Sequence, residues 1–120
     1  MATEISAAGY QDFKDRVEAA WLYIELRDAA GDPVVRLGTA DPRVSWIHAP
    51  GENPKLQAIV QGSDVDIPVP TTFRSSALFK VAEEGDALSV DTFDADFTIG
   101  ADADQLTVQH EVQVPQVVAP

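Results

Sequence analysis

Hydrophobic positions in the first twenty residues recur every three to four places. Tyr10, Phe13, Val17 and Trp21 form one stripe, and this spacing predicts a helix over 6–20. Ser6 is placed to cap it. Asp12 with Arg16, and Lys14 with Glu18, are opposite charges four apart on the other side, where they support a helix. After Trp21 the period changes to two. Leu22, Ile24 and Leu26 alternate with Tyr23, Glu25 and Arg27, the segment 28–33 reads as a turn, and Val34–Leu37 restarts a strand, which together predict a hairpin.

Alternation resumes at Val44, Trp46 and His48, breaks at 49–54, and returns over Leu56–Gln61. Val65–Pro70 alternates but holds Pro68 and Pro70, which restricts it to an edge strand or an extended crossing. Ala77, Phe79 and Val81 predict a strand, 83–86 a hairpin loop, Leu88–Phe93 the return, and Phe97–Ile99 a continuation or a short separate strand. The last strand is the clearest: Leu106, Val108, His110, Val112 and Val114 share one face, and Thr107, Gln109, Glu111 and Gln113 share the other. Pro115 and Pro120 bracket a short tail, 115–120. Short strands separated by turn signals imply a mainly β chain, an antiparallel β-sandwich or partly closed barrel with one short N-terminal helix.

Composition narrows this to one domain over 1–120, since domains commonly hold roughly 100–200 residues. Eight Lys and Arg oppose 20 Asp and Glu, for a net charge of −12. That balance excludes nucleic acid and anionic membrane surfaces as partners, because both require clustered cations. There is no cysteine, so disulfides and thiolate metal sites are excluded. No apolar run is long enough for a membrane span, and Met1–Ser6 does not read as a secretory leader.

Candidate chemistry is sparse. His48 or His110 could serve as a base for Ser45, Ser63, Ser75 or Ser76, but no G-x-S-x-G is present. The simpler reading makes His48 a strand-end residue and His110 a core or interface residue with local hydrogen bonds. Asp91, Asp94, Asp96, Asp102 and Asp104 supply the hard oxygen donors that calcium takes, without the spacing of a calcium loop. Solvated turns that keep strand edges from pairing wrongly account for them better. The isolated glycines form no phosphate-binding loop. The expectation is therefore no catalytic residue, no cofactor and no bound metal.

Contact with another chain is the better prospect. Tyr23 and Arg27 share a strand face of a composition common at interfaces. The proline-containing stretch Ile67–Arg74 offers Ile67, Val69, Phe73 and Arg74, although a loop that closes the sandwich accounts for it slightly better. Val117 and Val118, in the uncharged tail, either extend the core or dock on a neighbour.

Three stretches together resemble the small virion proteins of tailed bacteriophages: Trp21–Pro33 (WLYIELRDAAGDP), Gly62–Pro70 (GSDVDIPVP) and Leu106–Pro115 (LTVQHEVQVP), behind a short helix. The resemblance implies a protein that acts by assembly, in many copies, against major capsid or tail subunits of a virion built in the host cytoplasm. It implies an external capsid decoration (cement) subunit, or alternatively a tail or baseplate component. A carbohydrate- or calcium-binding sandwich module, drawing on Trp46, Tyr23 and the acidic turns, is the reading outside that family.

Overall fold

The computed structural model describes residues 5–113. One helix, α1 (Ala7–Ala20), precedes seven strands: β1 (Tyr23–Asp28), β2 (Pro33–Gly38), β3 (Val44–Trp46), β4 (Lys55–Gln61), β5 (Thr71–Phe79), β6 (Ser89–Ile99) and β7 (Gln105–Glu111). They build two antiparallel sheets, one in the order β2-β1-β5-β6 and one in the order β3-β4-β7. The sheets do not close into a barrel, and the mainly β sandwich with one N-terminal helix is the architecture.

The helix starts where its cap requires. Ser6 is extended, and its hydroxyl accepts the Gly9 N–H at 3.2 Å, satisfying one of the orphan donors of the first turn. Tyr10 and Val17 are buried, but Phe13 is 48% exposed, so the apolar stripe is only partly covered. Arg16 pairs with Asp12 at 3.0 Å. The second predicted pair does not form. Lys14 donates to the Gly51 carbonyl instead, and Glu18 faces His48.

The core lies between the sheets. Leu56, Ala58 and Val60 of β4 are in register with His110, Val108 and Leu106 of β7, and these inward residues meet Ile24, Leu26, Phe73, Leu78 and Ile99 of the other sheet. Each fully buried Leu, Ile, Val or Phe contributes roughly 1.5–3 kcal/mol of transfer free energy. On β7 the alternation is complete: Leu106, Val108 and His110 are buried, and Gln105, Thr107, Gln109 and Glu111 are exposed.

Several elements differ from the sequence expectation. Val65–Pro70 is neither an edge strand nor regularly extended. It crosses between the sheets in successive turns, with a cis Val69–Pro70 bond. Residues 71–74 belong to β5, which is a central strand beginning immediately after Pro70 and ending at Phe79, leaving Val81 outside it and exposed. The two predicted pieces 88–93 and 97–99 are one strand, β6. Between the pairs Phe73–Phe97 and Ser75–Thr92, two steps along β5 face five along β6, so 94–96 bulge out and join the pieces. Arg74 is the extra residue on β5 relative to β1, which keeps both Phe73 and Ser76 pointing inward. The last strand ends at Glu111 rather than Val114, which lies outside the described residues.

Candidate functional site: the open side of the sandwich

The strand orders leave β6 and β7 as the last strands of their sheets, and a short turn connects them. Both therefore border the same side of the sandwich. Two grooves lie along it. The larger, about 610 Å³, is walled by Phe13 and Trp21 of the helix end, by Leu88, Val90 and Asp91, and by Val112. The smaller, about 310 Å³, runs between Phe93–Phe97 and Leu106–Gln109. Phe13, Leu88, Val90 and Phe97 are all exposed large hydrophobics. β6 is exposed over most of its length, with Ile99 its one buried residue.

Behind the larger groove sits the one buried histidine. His110 on β7 projects across the core and joins the two sheets. Its Nδ1 lies 2.7 Å from Ser76 Oγ on β5, and its Nε2 lies 2.8 Å from Ser89 Oγ on β6. Ser76 and His110 are fully buried, whereas Ser89 is half-buried and reaches the groove. Burial pushes the imidazole below its usual pKa, opposed by the nearby Asp91 carboxylate, so the ring is neutral.

The proton count then sets the tautomer. Among the described residues Ser76 Oγ has no side-chain partner other than His110. A buried hydroxyl proton left unpaired costs about 1–3 kcal/mol, so Ser76 donates to Nδ1. The ring proton then sits on Nε2 and is donated to Ser89. In this arrangement both ring nitrogens of His110 are engaged by serines. The serine–histidine–serine chain is a cross-sheet clamp. Sequence reasoning named His110 and Ser76, but not Ser89, whose place beside the ring is decided by the pairing of β5 with β6.

The other histidine also links elements. His48 Nδ1 accepts the Lys55 N–H at 3.1 Å, its Nε2 lies 3.4 Å from Glu18 of α1, and Trp46 packs edge-on against its ring at 5.6 Å between centroids. It is therefore half-buried between helix and sheet.

The predicted interface residues do not gather in one place. Tyr23 is half-buried, and its ring lies over Gly38 across the β1–β2 pair. A Cβ at Gly38 would approach Tyr23 Cε1 to 2.9 Å, so the glycine makes room for the ring. Arg27 is turned back onto Glu25 at 2.8 Å. Ile67 and Phe73 are core residues, because Phe73 lies within a central strand and Ile67 is folded inward by the turns before it. That excludes both from a surface. Val69 is exposed, and Arg74 is exposed but held by Asp96 and the Ala29 carbonyl. Val117 and Val118 lie outside the described residues.

Many acids have structural work. Asp28 Oδ1 accepts from Ala30 and Asp32, Asp104 Oδ2 from Gly100 and Ala101, and Asp64 Oδ2 from Gln61, all within turns. Arg43 gathers Asp41, Asp64 and Asp66 at 2.8–3.1 Å. Its hydrogen bonds hold the Asp41 and Asp66 carboxyls below their usual range, and they hold Arg43 firmly protonated. Among the described residues no group of three or more His, Asp or Glu is arranged to hold a metal ion, and no helix is long and apolar enough to cross a membrane. Family models, curated proteins and solved structures yield no match to the chain.

Proposed function

We propose that this chain is a non-enzymatic structural subunit that works by binding other proteins in a larger particle. The observation that carries this reading is the open side of the sandwich. Two strands whose outer edges are unpaired among the described residues flank grooves bordered by exposed Phe13, Leu88, Val90 and Phe97. Exposed large hydrophobic side chains set among polar groove walls beside a strand edge are the mixed surface that protein contacts use. The engagement of both His110 ring nitrogens by Ser76 and Ser89 supports a structural use of that ring.

The resemblance to small tailed-phage virion proteins makes the particle a phage virion, and the position an external capsid decoration subunit. The charge of −12 supports an outward location, because it repels packaged DNA and complements a basic surface on a shell protein. A tail or baseplate position is the alternative within the same reading. The test is whether the protein bands with phage particles in a density gradient, in many copies per particle, with antibody labelling on the capsid surface. Labelling on the tail moves the position. A monomer recovered apart from every particle, with no affinity for capsids or tails, sinks the reading.

A further inference from the structure

Resting on that reading, we infer that the free edge of β6 receives an extended basic segment of a partner protein, which adds as a strand beside Ser89–Phe93. Three features of the edge converge on this occupant. The first is backbone. Among the described residues β6 is the last strand of its sheet, and none of them pairs with its outer side, where strand addition would take place. The bulge at 94–96 interrupts its regular pairing, which confines the accepting run to 89–93, about 17 Å of strand. The second is apolar surface along that same run. Leu88 and Val90 are exposed beside Phe13 in the larger groove, and Phe93 is packed against the core along the smaller one. Alternate apolar side chains of an incoming strand have a place to bury.

The third is charge. Asp91 lines the larger groove and Asp94 the smaller. Neither carboxylate has an ion pair or hydrogen bond among the described residues, unlike Asp96, which Arg74 holds in two. Acids along a strand edge discourage pairing with an identical edge. A second copy would bring the same two aspartates and a further charge of −12. An extended segment that alternates apolar residues with Lys or Arg instead pairs with the edge and brings a cation to Asp91 within the accepting run, while its net positive charge also complements Asp94 just beyond it.

The experiment titrates the isotopically labelled full chain with a capped heptapeptide alternating Val and Lys, followed by amide NMR shifts. The expected result is binding with shifts concentrated at Ser89–Phe93 and on the facing side of β7. Asp91→Asn with Asp94→Asn should weaken it about tenfold, and should leave the fold intact because neither side chain makes a hydrogen bond or ion pair among the described residues. Val90→Lys, which places a cation in the accepting run, should weaken it as well. An alternating Val–Glu peptide should not bind.

The inference is overturned if shifts fall elsewhere on the acidic surface, or if the aspartate double variant binds equally well. It is also overturned if a peptide of the same charge with prolines in place of valines binds as tightly, since charge alone then suffices. Dimerisation that protects the β6 amides would assign the edge to a second copy. Binding seen only after removal of residues 114–120 would assign it to the chain's own tail. A protein that bands with particles but fails the peptide test loses this inference and keeps the assembly reading. One that binds the peptide yet is absent from every particle loses the assembly reading and keeps β6 as a strand acceptor.

Discussion

The first sheet ends on one side at β2 and on the other at β6, and the two sides treat charge in opposite ways. On the β2 side, Glu25 is buried on the outer face of β1. Arg36 reaches it at 3.0 Å and Arg27 at 2.8 Å. The Arg36 guanidinium also stacks 3.5 Å from the centre of the buried Phe79 ring and donates to the carbonyls of Val81 and Glu84. One arginine thus covers an aromatic ring, neutralises a carboxylate and pins the loop in which Glu84 and Gly85 take left-handed conformations. At the β6 edge, Asp91 and Asp94 have no such partners among the described residues and stand beside exposed Leu88 and Val90. The first region is a small second core on the outside of the sheet. The second is a surface whose two carboxylates make no hydrogen bond or ion pair among the described residues.

Substitutions should separate the two. Glu25→Ala breaks the densest charged contact and leaves two partly buried arginines uncompensated, for a loss of about 3–5 kcal/mol. Urea denaturation should show the fall in midpoint, and a loss below about 1 kcal/mol would mean that Phe79 packing alone holds this face. His110→Leu cuts the clamp behind the open side and strands Ser76 in the core. The expected loss is about 2–3 kcal/mol by the same measurement.

The clamp also gives a pH signature. Burial lowers the folded-state pKa of His110, so the unfolded chain binds the proton more readily. Stability is therefore held above the unfolded value of about 6.5 and falls as pH drops through it toward the folded value. Melting curves through this range should show that decline in the native protein and a flatter profile in His110→Leu. Equal slopes would show that the ring keeps its charge inside the fold.

Arg43→Ala releases Asp41, Asp64 and Asp66 from their common cation. Because the arginine is a quarter exposed, with 24% of its side chain accessible, the expected loss is only about 1–2 kcal/mol, and added salt should shrink it. At the bottom of the scale, Val90→Thr on the open edge should change stability by less than about 0.5 kcal/mol, since the side chain is 56% exposed. A large loss there would mean that the edge is already covered within the chain, and the contrast between the two sides of the sheet would collapse.

Much of this molecule was legible because periodicity reports burial directly. The capped helix, the β1–β2 hairpin, β4 and the full alternation of β7 follow from residues whose side chains face one uniform environment. Thr71–Arg74 was not legible as a central strand, because the prolines before it mark a break and Arg74 interrupts the alternation as a bulge residue. The length of β6 was obscured in the same way by the bulge at 94–96. Tyr23 and Arg27 read as a free face because their local pattern is that of an outer strand surface. Arg36, eleven residues beyond Glu25, is what covers that surface, and only the β1–β2 register brings it there.

What the sequence by itself determined is the class of object: an acidic, cysteine-free chain of short alternating strands behind one helix. Each of those statements depends on residues near one another in the chain. Only the tertiary structure decided which charges are paired and which are free, where His110 finds its two serines, and which strands end the sheets. Those depend on contacts between residues such as Ser76 and His110, 34 positions apart, and are set by sheet order and bulges that local periodicity does not encode.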